Sequence, residues 1–243
     1  MSKCFTAICC AALVAVVSFG CCAAPLFKSD ETRPADATVL FDGKDLSQWV
    51  QLKPWSPLSE STKPAAWKVA NGYMEVVAGT GNILTKQHFG DAQIHVEFWL
   101  PLMADQKGQY RANSGVYIQG CYEIQVLDSY GLKTADTGCG GIYDTAIPLV
   151  NACRPPKQWQ TYDIFFRAPR FDDKGKKTAN ARVTVLQNGV MIHDDVELID
   201  GTAGAACGES STGPLMLQDH ANPVRYRNIW IRPLAMPQPK AGS

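Results

Sequence analysis

The chain has 243 residues with 23 basic and 23 acidic side chains, so its formal net charge is zero. That balance argues against nucleic acid or anionic lipid as the main partner, because both select strongly basic surfaces. Hydrophobic residues at 46% and charged residues at 19% supply a packed core and exclude a disordered chain.

The first element in chain order is a leader. Met1-Ser2-Lys3 carries one positive charge, an apolar run follows from Phe5 to Phe19, and Gly20, Ala23 and Ala24 give a small-residue exit. Residues 1–23 therefore read as a secretory signal, and residues 24–37 as a polar linker. The expected location is periplasmic or secreted. An apolar run of about 15 residues is shorter than the roughly 20 needed to span a bilayer, so no membrane span is expected. Gly20 before Cys21 leaves open a lipid anchor at Cys21, although Ser18 stands where bacterial lipoproteins usually carry Leu. Export implies an oxidising compartment, in which Cys121, Cys139, Cys153 and Cys207 become disulfide candidates. Cys139–Cys153 is the first pair expected, because Gly140, Gly141 and Pro148 make the segment between them easy to close. No CxxC pair or Cys-His cluster with zinc spacing occurs in the body, so no metal or cofactor is assigned.

Ordered structure is expected over 38–236 as one domain. Thr38–Phe41 ends at the turn Asp42-Gly43, and Trp67–Val69 and Tyr73–Val77 flank Asn71-Gly72, a strong hairpin signal. Gln93–Phe98 alternates apolar and polar residues as a half-buried strand does. Val116–Ile118, Ile124–Val126, Tyr162–Phe166 and Ala181–Leu186 follow. Asn188-Gly189 then turns the chain into Val190–Ile192, and Pro214–Leu217 and Tyr226–Ile231 close the series. Many short strands, with no convincing helical period after the leader, predict an all-β, two-sheet jelly-roll sandwich.

The most informative stretch is Asn113 to Asp128. Val116, Ile118, Ile124 and Val126 share a buried face if Ile118 lies opposite Ile124, with Gly120-Cys121-Tyr122 as a three-residue loop. In that register Gln119 faces Glu123, Tyr117 faces Gln125 and Gly115 faces Leu127. The other face then carries Tyr117, Gln119, Glu123 and Gln125, with Gly115 as an open spot and Asn113 and Asp128 at the far end. A solvated outer strand is the plain alternative, but amides, a phenol and a carboxylate suit a hydroxyl-rich ligand better than the Lys, Thr and Ser usual on such faces. A second cluster runs from Leu217 through Gln218, Asp219 and His220 to Arg225 and Arg227. His220 stands in a polar turn beside a carboxylate, where a group titrating near neutrality can move protons. His88, His95 and His193 lie in or near strand segments and read as structural. Arg225 and Arg227 share one strand face.

These residues carry a resemblance. Leu40–Trp49, Trp67–Gly72, Leu84-Thr85, Asn113–Tyr117, Tyr122–Asp128, Trp159-Gln160, Asn188-Gly189, Leu217–His220 and Tyr226–Ile229 occur in the order seen in the bacterial 3-keto-disaccharide hydrolase domain family. The resemblance spans nearly all of the mature chain and implies a concanavalin-like lectin/glucanase sandwich acting on a keto-sugar glycoside. In that chemistry a C3 ketone acidifies the C2 proton, a base removes it, the C1 substituent leaves, and water adds back. The resemblance implies Glu123 and His220 as the acid–base pair, in either order. Asn113, Tyr117, Gln119, Gln125, Asp128, Gln218, Asp219, Arg225 and Arg227 would hold the substrate. Two other classes remain open at this point. A conventional glucanase would need a carboxylate pair, for which Glu123 and Asp128 are poorly spaced. A binding module would offer aromatics such as Trp55, Tyr110 and Tyr117 as a stacking platform.

Overall fold

The computed structural model describes residues 33–53, 56 and 63–234. The leader, most of the linker, Cys21 and Trp55 lie outside the described residues. Among the described residues no helix is long and apolar enough to cross a membrane.

Two antiparallel sheets face each other. The larger contains β1 (Thr38–Phe41), β4 (Lys68–Ala70), β5 (Tyr73–Glu75), β7 (Ala92–Trp99), β10 (Trp159–Arg167), β13 (Ala181–Gln187), β14 (Val190–Leu198) and β16 (Arg225–Pro233). Its order is β14-β13-β10-β7-β16-β5-β4, with β1 also paired to β16. The smaller contains β2 (Trp49–Leu52), β3 (Lys63–Pro64), β6 (Asn82–Phe89), β8 (Ser114–Ile118), β9 (Tyr122–Val126) and β15 (Gly213–Leu217), in the order β3-β2-β6-β15-β8-β9. A separate two-stranded ribbon joins β11 (Arg170–Phe171) to β12 (Lys177–Ala179). This is the all-β jelly-roll sandwich that the strand pattern predicts.

The core is the apolar half of each alternating strand. Ile94, Val96 and Phe98 of β7 and Tyr162, Ile164 and Phe166 of β10 meet Val116, Ile118, Ile124 and Val126 of the smaller sheet, all buried. Burying each such side chain is worth about 1.5–3 kcal/mol, and this sets the facing of every strand that contributes one. Phe98 packs on Tyr162 with ring centroids 4.6 Å apart, and Tyr122 on Phe166 at 5.6 Å. Polar threads cross the sandwich: the Tyr226 hydroxyl donates to Ser114 Oγ at 2.7 Å, which donates to the Gln218 carbonyl at 2.6 Å, and the Tyr162 hydroxyl donates to the Gln125 carbonyl at 2.6 Å.

The hairpins at Asn71-Gly72 and Asn188-Gly189 form as expected, with all four residues at positive φ and Ala70 and Gln187 paired to Tyr73 and Val190. The central hairpin forms too, but its register is corrected by two residues. Ile118 pairs with Tyr122, Tyr117 with Glu123, Val116 with Ile124 and Gly115 with Gln125, so the connection is Gln119-Gly120-Cys121. Gln119 and Gly120 take positive φ, and the Tyr122 ring enters the core rather than the loop.

Candidate functional site

The β8–β9 hairpin is buried on both faces, which excludes a solvated outer strand. Its second face is roofed by two connections. Residues 140–143 run along the free edge of β9: Gln125 N donates to the Gly141 carbonyl at 2.9 Å, and Gly140 N to the Gln125 carbonyl at 2.9 Å. Residues 202–206 cover the other side, where Glu123 N donates to Thr202 Oγ1 at 2.9 Å and the Tyr117 hydroxyl to the Ala203 carbonyl at 3.0 Å. Between the roofs is a cleft of about 200 Å³ lined by Gln109, Asn113, Tyr117, Glu123, Gln125, Tyr143, Ala203, Gly204, Gln218 and His220.

Two glycines make room for it. Gly115 stands opposite Gln125 with Tyr117 and Glu123 on the same face, and the Glu123 carboxyl folds over its bare Cα. A methyl there would lie 2.1 Å from Glu123 Oε1 and 2.8 Å from the Tyr117 ring. Gly204 has φ +78°, and a methyl on it would lie 2.6 Å from the Tyr117 hydroxyl. The amides are organised around Gln109, in a short 3₁₀ turn over Gly108–Tyr110. Gln109 Oε1 accepts from Asn113 Nδ2 at 2.9 Å and from Gln125 Nε2 at 3.2 Å. Gln218 Nε2 donates to the Tyr117 hydroxyl at 3.1 Å. The carbonyl oxygens of Asn113, Gln125 and Gln218 accept no hydrogen bond from the protein. Buried acceptors left in that state cost free energy, and donors on a bound ligand would recover it.

Burial is the main electrostatic force here. It pushes the Glu123 carboxyl up to about 8, partly opposed by its hydrogen bond with Tyr117 and reinforced by the charge of Asp144. Burial likewise raises the Tyr117 phenol, and the nearby Glu123 charge adds to the effect. Tyr143 is raised by burial and by Asp144, Glu123 and Asp136, so its hydroxyl stays protonated and able to donate. His220 is exposed at the cleft mouth.

Six of the residues proposed from sequence meet in this cleft: Asn113, Tyr117, Glu123, Gln125, Gln218 and His220. Five others fall outside its lining. Gln119 lies in the hairpin turn, with Nε2 donating to the carbonyls of Phe89 and Ser211. Asp128 accepts from Arg111 Nε at 2.8 Å. Asp219 fixes its own loop by accepting from the backbone of Gly81 and Ala221, each at 2.9 Å. Arg225 and Arg227 do share one face, but it is the outer face of the larger sheet. There they bind Glu75 and Glu97, each at 2.6 Å, while Arg225 stacks on Tyr73 and Trp99 and Arg227 on Trp159. Arg227→Ala should therefore leave turnover unchanged while lowering stability by about 1 kcal/mol in a urea melt. A collapse of kcat/KM at unchanged stability would place substrate on that outer face.

Sequence reasoning missed Gln109, Tyr143, Ala203 and Gly204. All four sit on irregular connections, where no hydrophobic period marks which side chains point inward. Cys139 and Cys153 stand as free buried thiols, Cys139 Sγ receiving Gln187 Nε2 at 3.3 Å and Cys153 Sγ donating to the Arg154 carbonyl at 3.4 Å. His95 and His193 are structural as expected: His95 Nδ1 lies 2.6 Å from Asp163, and His193 Nε2 lies 2.7 Å from the Gly140 carbonyl.

Fold and cleft together define a two-sheet β-sandwich with a polar cleft against its smaller sheet. The description "3-keto-alpha-glucoside-1,2-lyase-like domain" matches residues 36–232, and the chain belongs to that family. It is similar to a crystal structure of a candidate glycosyl hydrolase from Parabacteroides distasonis. The two are 40% identical with a TM-score of 0.74, covering 83% of this chain and 85% of that one. A second structure of that description from the same organism, 20% identical, covers 82% and 94% of the two chains with a TM-score of 0.59, and shares the fold. No curated protein matches the chain.

Proposed function

We propose that this protein cleaves 3-keto-glycosides by removing the C2 proton and expelling the C1 substituent. The observation that carries the reading is a single buried carboxyl with a raised pKa. Glu123 is the one carboxylate among the residues lining the cleft. A retaining or inverting glycosidase needs two carboxyl groups flanking the bond. Elimination next to a ketone needs one base, and a carboxylate that protonates near neutrality is a stronger base than an ordinary one.

In this mechanism Glu123 takes the C2 proton, and electron density moves onto the C3 oxygen as an enolate. The Tyr143 hydroxyl, kept protonated in the cleft lining, is a donor for that oxygen, so stabilisation comes from an aimed hydrogen bond. The enolate then collapses, a C1=C2 double bond forms, and the C1–O bond breaks. His220, at the mouth where the leaving group exits, protonates the departing oxygen. Water adding across the new double bond would complete net hydrolysis. The free carbonyl oxygens of Asn113, Gln125 and Gln218 match a ring rich in hydroxyl donors.

A 3-keto-glucoside should be cleaved rapidly and its parent glucoside negligibly, because without the ketone the C2 proton is far too weakly acidic for a side-chain base. Product release from each sugar, followed by chromatography, decides it. Equal cleavage of both would support an ordinary glycosidase. Binding of either sugar without turnover would support a lectin-like module instead.

A further inference from the structure

A side-chain amide can present either its oxygen or its nitrogen to a neighbour. The two ends have nearly the same shape, so the surrounding hydrogen bonds decide which way it points. In the cleft that choice traces back to one backbone carbonyl. The Thr137 carbonyl can only accept, and Gln109 Nε2 donates to it at 2.8 Å. The segment that carries Thr137 is itself held, by Gly138 N on the Ala135 carbonyl at 3.1 Å and by Cys139 N on Ser129 Oγ at 2.8 Å. Gln109 Oε1 is thereby turned toward Asn113 and Gln125, whose amide nitrogens both donate to it. Asn113 Nδ2 also donates to the Gln109 backbone carbonyl at 2.8 Å, and Asn113 N donates to Asn222 Oδ1 at 2.7 Å, so this residue is tied at side chain and backbone. Reversing either amide would set carbonyl oxygen against carbonyl oxygen. Asn113 and Gln125 are exposed by only 2% and 1%, and their own oxygens are the ends left without a partner.

We propose that Gln109 is a positioning residue that fixes the hydrogen-bond polarity of the cleft, so that Asn113 and Gln125 together select a ligand with free hydroxyl donors. The ligand half of this inference rests on the proposed reading of the cleft as a sugar site. Gln109 acts through its neighbours, because both polar atoms of its side chain are engaged by Thr137, Asn113 and Gln125. What meets the ligand is the pair of oxygens turned away from it. A hydroxyl can donate to such an oxygen, whereas an O-alkyl group, a fluorine or a bare methylene cannot. A buried acceptor that meets no donor stays unpaired with water excluded, so the cleft penalises an analogue lacking the hydroxyl more than an open site would. Were Gln109 only a tie between the 3₁₀ turn and its surroundings, its loss would weaken binding of every sugar by the same factor.

Binding would be measured by calorimetry on the full chain carrying Glu123→Gln, which slows consumption of the sugar. The probes are a methyl 3-keto-glucoside and its 2-, 4- and 6-deoxy and deoxyfluoro analogues. With Gln109 present, the deoxy and the fluoro analogue of at least one position should both bind at least about tenfold more weakly than the parent. In Gln109→Met, which removes the acceptor at similar volume, discrimination at the position facing Gln125 should shrink to within about threefold, since that amide nitrogen has no second partner. In Gln109→Glu, which keeps an acceptor for both amides, it should persist. Full discrimination retained in Gln109→Met, or an equal loss of affinity for every sugar, would overturn the positioning role. A fluoro analogue that binds like the parent where the deoxy analogue does not would overturn the polarity. The Gln125 side-chain amide protons give a readout without sugar: by nuclear magnetic resonance they should exchange with water at least about tenfold more slowly in wild type and Gln109→Glu than in Gln109→Met. Equal exchange in all three would overturn the positioning. Slow exchange with no binding of the parent sugar would overturn the keto-sugar reading and the ligand half of the proposal, while supporting the positioning of the amides.

Discussion

Glu123→Gln should lower kcat on a 3-keto-glucoside by about 10²–10⁴-fold, the range usual for removing a general base. The substitution keeps shape and hydrogen bonding but cannot accept the C2 proton. Because the base form of Glu123 is populated above about 8, wild-type kcat/KM should rise as pH approaches that value, and the Gln variant should lose this limb. The same carboxyl predicts a stability signature. Its folded pKa lies above its unfolded value, so the native state holds the proton more tightly. That contribution is fully present below the unfolded pKa, near 4.5, and is lost as pH rises through about 8. Gln has no charge to bury. Thermal melts should therefore show Glu123→Gln gaining stability over wild type as pH increases from 5 to 9. A pH-independent difference would mean that burial does not perturb Glu123.

Gly115→Ala should be nearly as damaging to activity for a different reason. The new methyl would meet Glu123 Oε1 at 2.1 Å and Tyr117 Cε2 at 2.8 Å, inside any permitted contact. The carboxyl is the end of a flexible chain and will move, whereas the Tyr117 ring is held by the Ala203 carbonyl and Gln218. Overpacking of this kind costs about 1–3 kcal/mol of stability, which an intact sandwich survives. Displacing a catalytic group by about 1 Å costs on the order of 10²-fold in rate. The expected result is a folded protein with kcat reduced about a hundredfold, read by paired urea melts and kinetics. Wild-type turnover would show that Glu123 acts from another position.

The strand framework was legible wherever one face is buried and the other polar, as in β7 and β16. It missed β6, whose first half is covered on both faces. In β6, Ile83 belongs to the main core while Leu84 joins a second cluster with Leu52, Tyr117 and Met216 on the cleft side of the sheet. Two consecutive buried residues remove the alternation by which a strand is recognised. The hairpin register was ambiguous for a related reason. A slip of two residues leaves every side chain on its own face, so the pattern reads identically in both registers. What decides between them is Tyr122 packing on Phe166 and Gln119 accepting positive φ, and neither is visible in a polarity string. The period also put Arg225 and Arg227 correctly on one face without saying which sheet would carry them. Gln109 and Tyr143 could not be found at all, because the connections holding them pack through irregular backbone.

The proposal that most needs testing is that the reaction begins at C2 and not at C1. The direct measurement is nuclear magnetic resonance of a 3-keto-glucoside turned over in deuterated water. Removal of the C2 proton by Glu123 predicts deuterium at C2 of the hydrated product. Where reprotonation competes with departure of the leaving group, deuterium should also enter recovered substrate. Both signals should fall with the rate in Glu123→Gln. Turnover at the wild-type rate with the original hydrogen fully retained at C2 would contradict elimination and point to direct displacement at C1.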